Sequence, residues 1–225
     1  MIGIAVFLIV MRAVYWQPYW IPAESMKPTL LIGDYVVATS IAPESLRRGD
    51  VLVFRHPVND SDYVKRLIGL PGDKIQMKNG ILFINGAKVP QVEDGIFGEL
   101  MEPQGSQHNR PRCANGAVGD GGICQKYQFR ETLPNGVVYD ILNIEDHGFG
   151  DNTDVFTVPA GKLFFLGDNR DNSADSRFSQ SVGGMGFVPV ENVRAKARVV
   201  VFSSAGEDLM DSATWRPDRH WVWVH

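Results

Sequence analysis

Beyond Pro22 the chain is a succession of short apolar runs broken by Gly, Pro, Asn and Asp, and this punctuation confines it to a mostly β architecture. The expected strands are Tyr35–Thr39, Asp50–Phe54, Tyr63–Ile68, Ile75–Lys78, Ile81–Ile84, Tyr127–Thr132, Val137–Ile144, Leu163–Leu166 and Ala195–Phe202. Asn79-Gly80 between two of these runs is a two-residue hairpin signal, because both positions tolerate φ > 0. Pro71-Gly72 suits a type II turn, and a further hairpin is expected around Pro134-Asn135-Gly136. Helix is expected only as isolated turns at Pro43–Arg47 and Pro189–Val193. The stretch 86–156 is looser in texture and reads as an inserted β-rich lobe, dividing a main β domain into 21–85 and 157–225. The tail Trp215–His225 either closes the sheet, the preferred reading, or lies at a membrane interface.

The N-terminus carries the compartment signal. Met1–Met11 is apolar throughout and is followed by Arg12 and the aromatic group Tyr15, Trp16, Tyr19 and Trp20, residues that collect at bilayer interfaces. As a helix, Met1–Trp16 would reach about 24 Å, short of the roughly 30 Å hydrocarbon core. The segment 1–20 is therefore read as a membrane anchor, whole or truncated, with the rest of the chain outside the cytoplasm. A cleavable leader lacks its basic start and its Ala-x-Ala end, and a buried core helix is the other alternative. With export, Cys113 and Cys124 are expected to form a disulfide. A formal net charge of −4 argues against a nucleic-acid partner.

Three stretches are too specific for ordinary loops. In Ile21-Pro22-Ala23-Glu24-Ser25-Met26-Lys27-Pro28, prolines on both sides constrain the loop that presents Ser25. In Asp62-Tyr63-Val64-Lys65-Arg66-Leu67-Ile68, a period of two puts Lys65 on one face with Tyr63 and Leu67, and Arg66 on the other with Val64 and Ile68. A lysine desolvated between apolar neighbours has a lowered pKa and is able to act as a base; the ordinary alternative is a lysine that snorkels to water. Gly167-Asp168-Asn169-Arg170-Asp171-Asn172-Ser173-Ala174-Asp175-Ser176-Arg177 has the density of side-chain acceptors typical of an internally bonded loop, with Asp175–Arg177 and Asp168–Arg66 as candidate pairs. His56, His108, His147, His220 and His225 are scattered without metal-ligand spacing. His56 is the least unsuitable partner for a Ser-His-Asp arrangement, but a surface role is the expectation.

In their order along the chain, IPAESMKPTLLIGD, RRGDVLVF, DYVKRLIGLPGD and GDNRDNSADSR resemble the conserved boxes of the bacterial type I signal peptidases. The resemblance covers roughly Arg12–Val201 and is weakest in the middle. It implies a mostly β fold with a catalytic domain, a smaller inserted β domain and an N-terminal transmembrane segment. It implies Ser25 as nucleophile, Lys65 as general base and Ser173 as the hydroxyl that orients the lysine. Arg66, Asp168, Asp175 and Arg177 match the supporting charged residues. Ile21 and Val64 fall where the family lines the shallow pockets for an Ala-x-Ala cleavage site. Pro22, Ala23, Met26 and Asp62 complete the expected substrate-binding set. Where many members carry a serine two residues before the nucleophile, this chain has Ala23, and Glu24 stands in place of the usual glycine.

The implied activity is removal of signal peptides from exported preproteins by a serine endopeptidase of the inner membrane, with its catalytic domain on the outer side. Its partners would be preprotein signal peptides and the lipid bilayer, close to the export translocon, with no metal, cofactor or nucleic acid. The rivals are a specialised peptidase that matures conjugative pilus subunits and an inactive envelope scaffold. A self-cleaving repressor with a Ser–Lys pair would need a DNA-binding domain, which no segment supplies.

Overall fold

The computed structural model describes residues 16–105, 108–206 and 211–225. Its strands are β1 (Trp16–Trp20), β2 (Asp34–Ser40), β3 (Val51–Arg55), β4 (Asp62–Gly69), β5 (Lys74–Lys78), β6 (Ile81–Ile84), β7 (Ala87–Lys88), β8 (Gln91–Leu100), β9 (Ile123–Thr132), β10 (Val138–Asn143), β11 (Phe156–Thr157), β12 (Lys162–Leu166), β13 (Val188–Pro189), β14 (Val193–Ser203) and β15 (Val222–Trp223). They form an eight-stranded sheet in the order β1-β2-β14-β3-β4-β12-β13, with β15 also paired to β14. A three-stranded sheet, β10-β9-β8, and a four-stranded sheet, β11-β5-β6-β7, complete the architecture.

The turn chemistry acts as its residues dictate. Asn79 (φ 47°) and Gly80 (φ 72°) join β5 to β6. Gly72 (φ 88°) follows Pro71 in a turn closed by Asp73 N–H donating to Leu70 O at 3.0 Å. The two expected helical turns are single 3₁₀ turns, Pro43–Ser45 and Val190–Asn192. The tail closes the sheet, with Val222 and Trp223 opposite Val200 and Val199.

Three differences from the sequence expectations stand out. Trp16–Trp20 does not continue a membrane helix; it is edge strand β1, antiparallel to β2 from Trp16↔Thr39 to Trp20↔Tyr35. Its residues alternate between exposed and half-buried, the period-two pattern of a strand, and an edge position tolerates Pro18. Met1–Tyr15 lies outside the described residues, and among those described no helix is long and apolar enough to cross a membrane. The second difference is β8, absent from the expected set, and the third is β9, which starts at Ile123 and not at Tyr127.

Three apolar clusters set the geometry around β4. On one side Leu52, Phe54, Leu67, Leu163 and Phe165 pack together, with the Phe54 and Phe165 rings stacked at 4.3 Å. A second cluster gathers Ile21, Met26, Leu30, Val36, Val51, Ala197 and Val200 beneath the Ser25 loop. A third joins strands from the four-stranded sheet to Leu133, Tyr139 and Ile141 of the β9–β10 hairpin, and to Phe164 and Leu166 of β12. β4 pairs with β3 along Asp62–Arg66, whereas β12 reaches only Arg66, Leu67 and Gly69. Asp62–Val64 therefore keeps one strand edge free of β12.

Candidate active site

The loop that carries Ser25 is fixed at both ends. Ile21 exchanges backbone hydrogen bonds with the turn before β2: its N–H donates to Asp34 O, and its carbonyl accepts from Gly33 N–H, both at 2.9 Å. After the serine, Met26 and Leu30 are buried in the cluster below. Asn169, in the loop after β12, holds the middle. Its N–H donates to Ser25 O and its Nδ2 to Glu24 O, each at 3.1 Å. One residue thus grips the carbonyls on either side of the Ser25 N–H.

β4 delivers Lys65 to this loop, and its Nζ donates to Ser25 Oγ. Lys65 is 4% exposed, so it does not snorkel. Burial pushes its pKa down to about 8, against the pull of Asp175 and Asp168 and with the help of Arg177. Its neighbour Arg66 points through the opposite face, as the strand period requires. There it meets Asp168 in a bidentate pair, Nε to Oδ1 at 2.8 Å and Nη2 to Oδ2 at 2.7 Å. Thr29 Oγ1 donates to the same carboxylate at 2.5 Å, so this buried pair also ties down the exit of the Ser25 loop. The Arg66 guanidinium sits 4.0 Å over the Tyr139 ring.

The loop after β12 is held from within. Arg177 is bidentate to Asp175, both contacts at 2.9 Å, and Asp175 Oδ2 accepts from Gly167 N–H at 3.1 Å. Gly167 is irreplaceable for space: a Cβ there would lie 2.2 Å from Ser173 Oγ and 2.5 Å from Ser25 O. Ser173 itself differs from expectation. Its Oγ is buried beside Gly167 but has no hydrogen-bond partner among the described residues, so Lys65 is bonded to Ser25 and not to Ser173.

A cleft of about 570 Å³ opens at this point, lined among others by Ile21, Pro22, Ala23, Asp62, Val64 and Lys65. Met26, expected among the substrate-binding residues, does not line it; its side chain is drawn into the apolar cluster under the loop. His56 is not a surface residue either. It is buried, 4.6 Å from the Tyr63 ring, with Nδ1 accepting from the Val58 and Asn59 N–H groups. Cys113 and Cys124 are joined, with Cα atoms 5.1 Å apart. Among the described residues no three His, Cys, Asp or Glu side chains gather as for a metal ion.

The family model described as signal peptidase, peptidase S26, matches residues 1–202. This chain belongs to that family. With membership comes its chemistry class, a serine peptidase, and its general task of removing signal peptides. Signal peptidase I of Rickettsia prowazekii (strain Madrid E) is 37% identical over 227 residues, which cover 87% of this chain and 75% of the relative. Signal peptidase I of Rickettsia canadensis (strain McKiel) is 38% identical over 231 residues, with the same coverage. The crystal structure of a signal peptidase I from Enterococcus faecalis V583 aligns at 22% identity and a TM-score of 0.34, covering 68% of this chain and 96% of that one.

Sequence reasoning about this signal peptidase family member missed Asn169, Gly167, Thr29 and the buried groups around Glu24. The signal for Gly167 and Asn169 was their position at the end of an apolar strand, facing a loop of fixed geometry. Lys126 and Glu99 had no readable signal, because β8 was not recognised and β9 was begun one residue too late to include Lys126.

Proposed function

We propose that this chain is a membrane-anchored signal peptidase in which Ser25 is the nucleophile and Lys65 the general base. The observation that carries the reading is the hydrogen bond between a buried lysine and a serine held on a clamped loop. Neutral Lys65 takes the Ser25 proton as Oγ attacks the carbonyl after the last small residue of the signal peptide. The tetrahedral intermediate collapses, the C–N bond breaks and protonated Lys65 returns the proton to the leaving amine. Water then hydrolyses the Ser25 ester, with Lys65 again accepting the proton.

The developing oxyanion is assigned to the Ser25 N–H, whose flanking carbonyls Asn169 holds, because Ala23 offers no hydroxyl. An extended substrate is placed between Ile21–Ala23 and the open edge at Asp62–Val64, as in strand addition, with Ile21 and Val64 shaping pockets for small side chains. Arg66, Asp168, Asp175 and Arg177 hold the loops, and Ser173 sits beside the pair as an available hydroxyl. The apolar Met1–Met11 segment supports anchorage at the inner membrane with the site outside, near the export translocon. The Cys113–Cys124 bond suits that oxidising side.

The test is to incubate the detergent-solubilised chain with a preprotein ending its leader in Ala-x-Ala and to sequence the new N-terminus. Cleavage directly after the motif is expected, with both Ser25→Ala and Lys65→Ala losing at least about 10³-fold in kcat. Substantial turnover by a folded Lys65→Ala variant would sink the assignment.

A further inference from the structure

Glu24 and Lys27, on either side of Ser25 in its loop, enter a ring of alternating charge whose two ammonium groups are buried. Glu24 Oε2 lies 3.5 Å from Lys27 Nζ and 3.6 Å from Lys126 Nζ. Glu99 closes the ring from the other side, Oε2 accepting from Lys27 Nζ at 2.5 Å and Oε1 accepting from Lys126 Nζ. Both ammonium groups are inaccessible, Lys27 at 2% and Lys126 at 0% exposure. Two amides add further bonds to the ring. Gln104 accepts from Lys27 Nζ at 2.7 Å and donates to Glu99 Oε2 at 2.9 Å, while Asn172 Nδ2 donates to Glu24 Oε1.

The ring spans three parts of the fold. Glu24 and Lys27 belong to the serine loop, Glu99 to β8 and Lys126 to β9, and Asn172 adjoins Ser173. Ammonium groups sealed this deeply are costly unless paired, and the carboxylates that pair them admit few geometries. We propose that the Glu24–Lys27–Glu99–Lys126 ring is a positioning device, through which the β8–β9 sheet sets the main-chain conformation of Ser25. Lys126 and Glu99, which do not line the cleft, are the positioning residues acting at longest range. Glu24 fills the place of the family's usual glycine because this ring needs its carboxylate.

The inference rests on Ser25 being the nucleophile, so Ser25→Ala is assayed beside Lys126→Met and Glu99→Gln on a preprotein substrate. Folding is verified by circular dichroism at the assay temperature. The ring variants should lose roughly 10- to 100-fold in kcat per folded molecule, with KM within about threefold, since small misplacements of a reacting group cost that much. The pH midpoint of the rate should stay at the parent value, because Lys65 is untouched. An unchanged kcat per folded molecule overturns the proposal, as does a loss accompanied by a shifted midpoint, which would place the effect on Lys65. Should the single variants not fold, Lys126→Met/Glu99→Gln, which removes one charge of each sign, decides on the same readouts. Surviving turnover in Ser25→Ala would instead refute the nucleophile assignment and leave the ring without a catalytic object.

Discussion

Replacing Lys65 by Met should make the protein inactive and, at neutral pH, more stable. The folded state holds this lysine at a pKa of about 8, chiefly by burial, against 10.5 when it is free. Between those two values the unfolded chain binds the proton that the folded chain has lost, so stability rises with pH through that window. Below pH 8 the folded state carries the full penalty, about 3 kcal/mol from the separation of the two pKa values. Methionine is close to lysine in length and carries no charge to desolvate. The substitution forfeits the hydrogen bond to Ser25, about 1 kcal/mol. The net gain should therefore be about 2 kcal/mol at pH 7 and close to zero by pH 10, given the same penalty and bond terms. Urea unfolding followed by tryptophan fluorescence, run at both pH values on parent and variant, measures it. A variant less stable than the parent at pH 7, or a difference that does not change with pH, would refute the reasoning that burial sets the lysine's basicity.

Further outcomes follow from the same geometry. Gly167→Ala forces a methyl against Ser25 O and Ser173 Oγ, and should cost at least about tenfold in kcat in preprotein cleavage with KM little changed. Ala23→Ser adds a hydroxyl next to the proposed oxyanion site and should raise kcat severalfold; a loss of rate would show that the backbone N–H geometry leaves no room for a second donor. Cys113→Ser/Cys124→Ser opens a loop of sequence separation 11 and should lower stability by about 3 kcal/mol in chemical unfolding, without moving the pH midpoint of activity.

How much of this was legible in the sequence follows from where the physics is local. Hairpins at Asn79-Gly80 and Leu133–Val137 depend on two or three residues, so turn chemistry placed them. The opposition of Lys65 and Arg66 is strand periodicity, and it placed one at Ser25 and the other at Asp168. What failed was non-local. Gln91–Leu100 has glycines and acids in place of a β-branched run, and becomes a strand because β9 offers it a partner from Gln91↔Glu131 to Leu100↔Ile123. Trp16–Trp20 looked like an interfacial belt because the same aromatics suit an edge strand, and only the pairing with β2 separates the two. Met26 was placed in the cleft by the family resemblance, yet the loop turns it inward. The charge ring brings Glu24 and Lys27, neighbours on one loop, against Glu99 and Lys126 from β8 and β9, a juxtaposition that no periodicity encodes.

The central claim is that neutral Lys65 removes the proton from Ser25, and the pH dependence of kcat/KM for cleavage of a preprotein tests it most directly, since that profile reports the ionisations of the free enzyme. The rate should rise with pH through a single step with its midpoint at about 8, the value that burial gives Lys65, and the step should vanish with the residual rate of Lys65→Ala. A profile flat from pH 6 to 9, or the same step persisting in Lys65→Ala, would contradict the account.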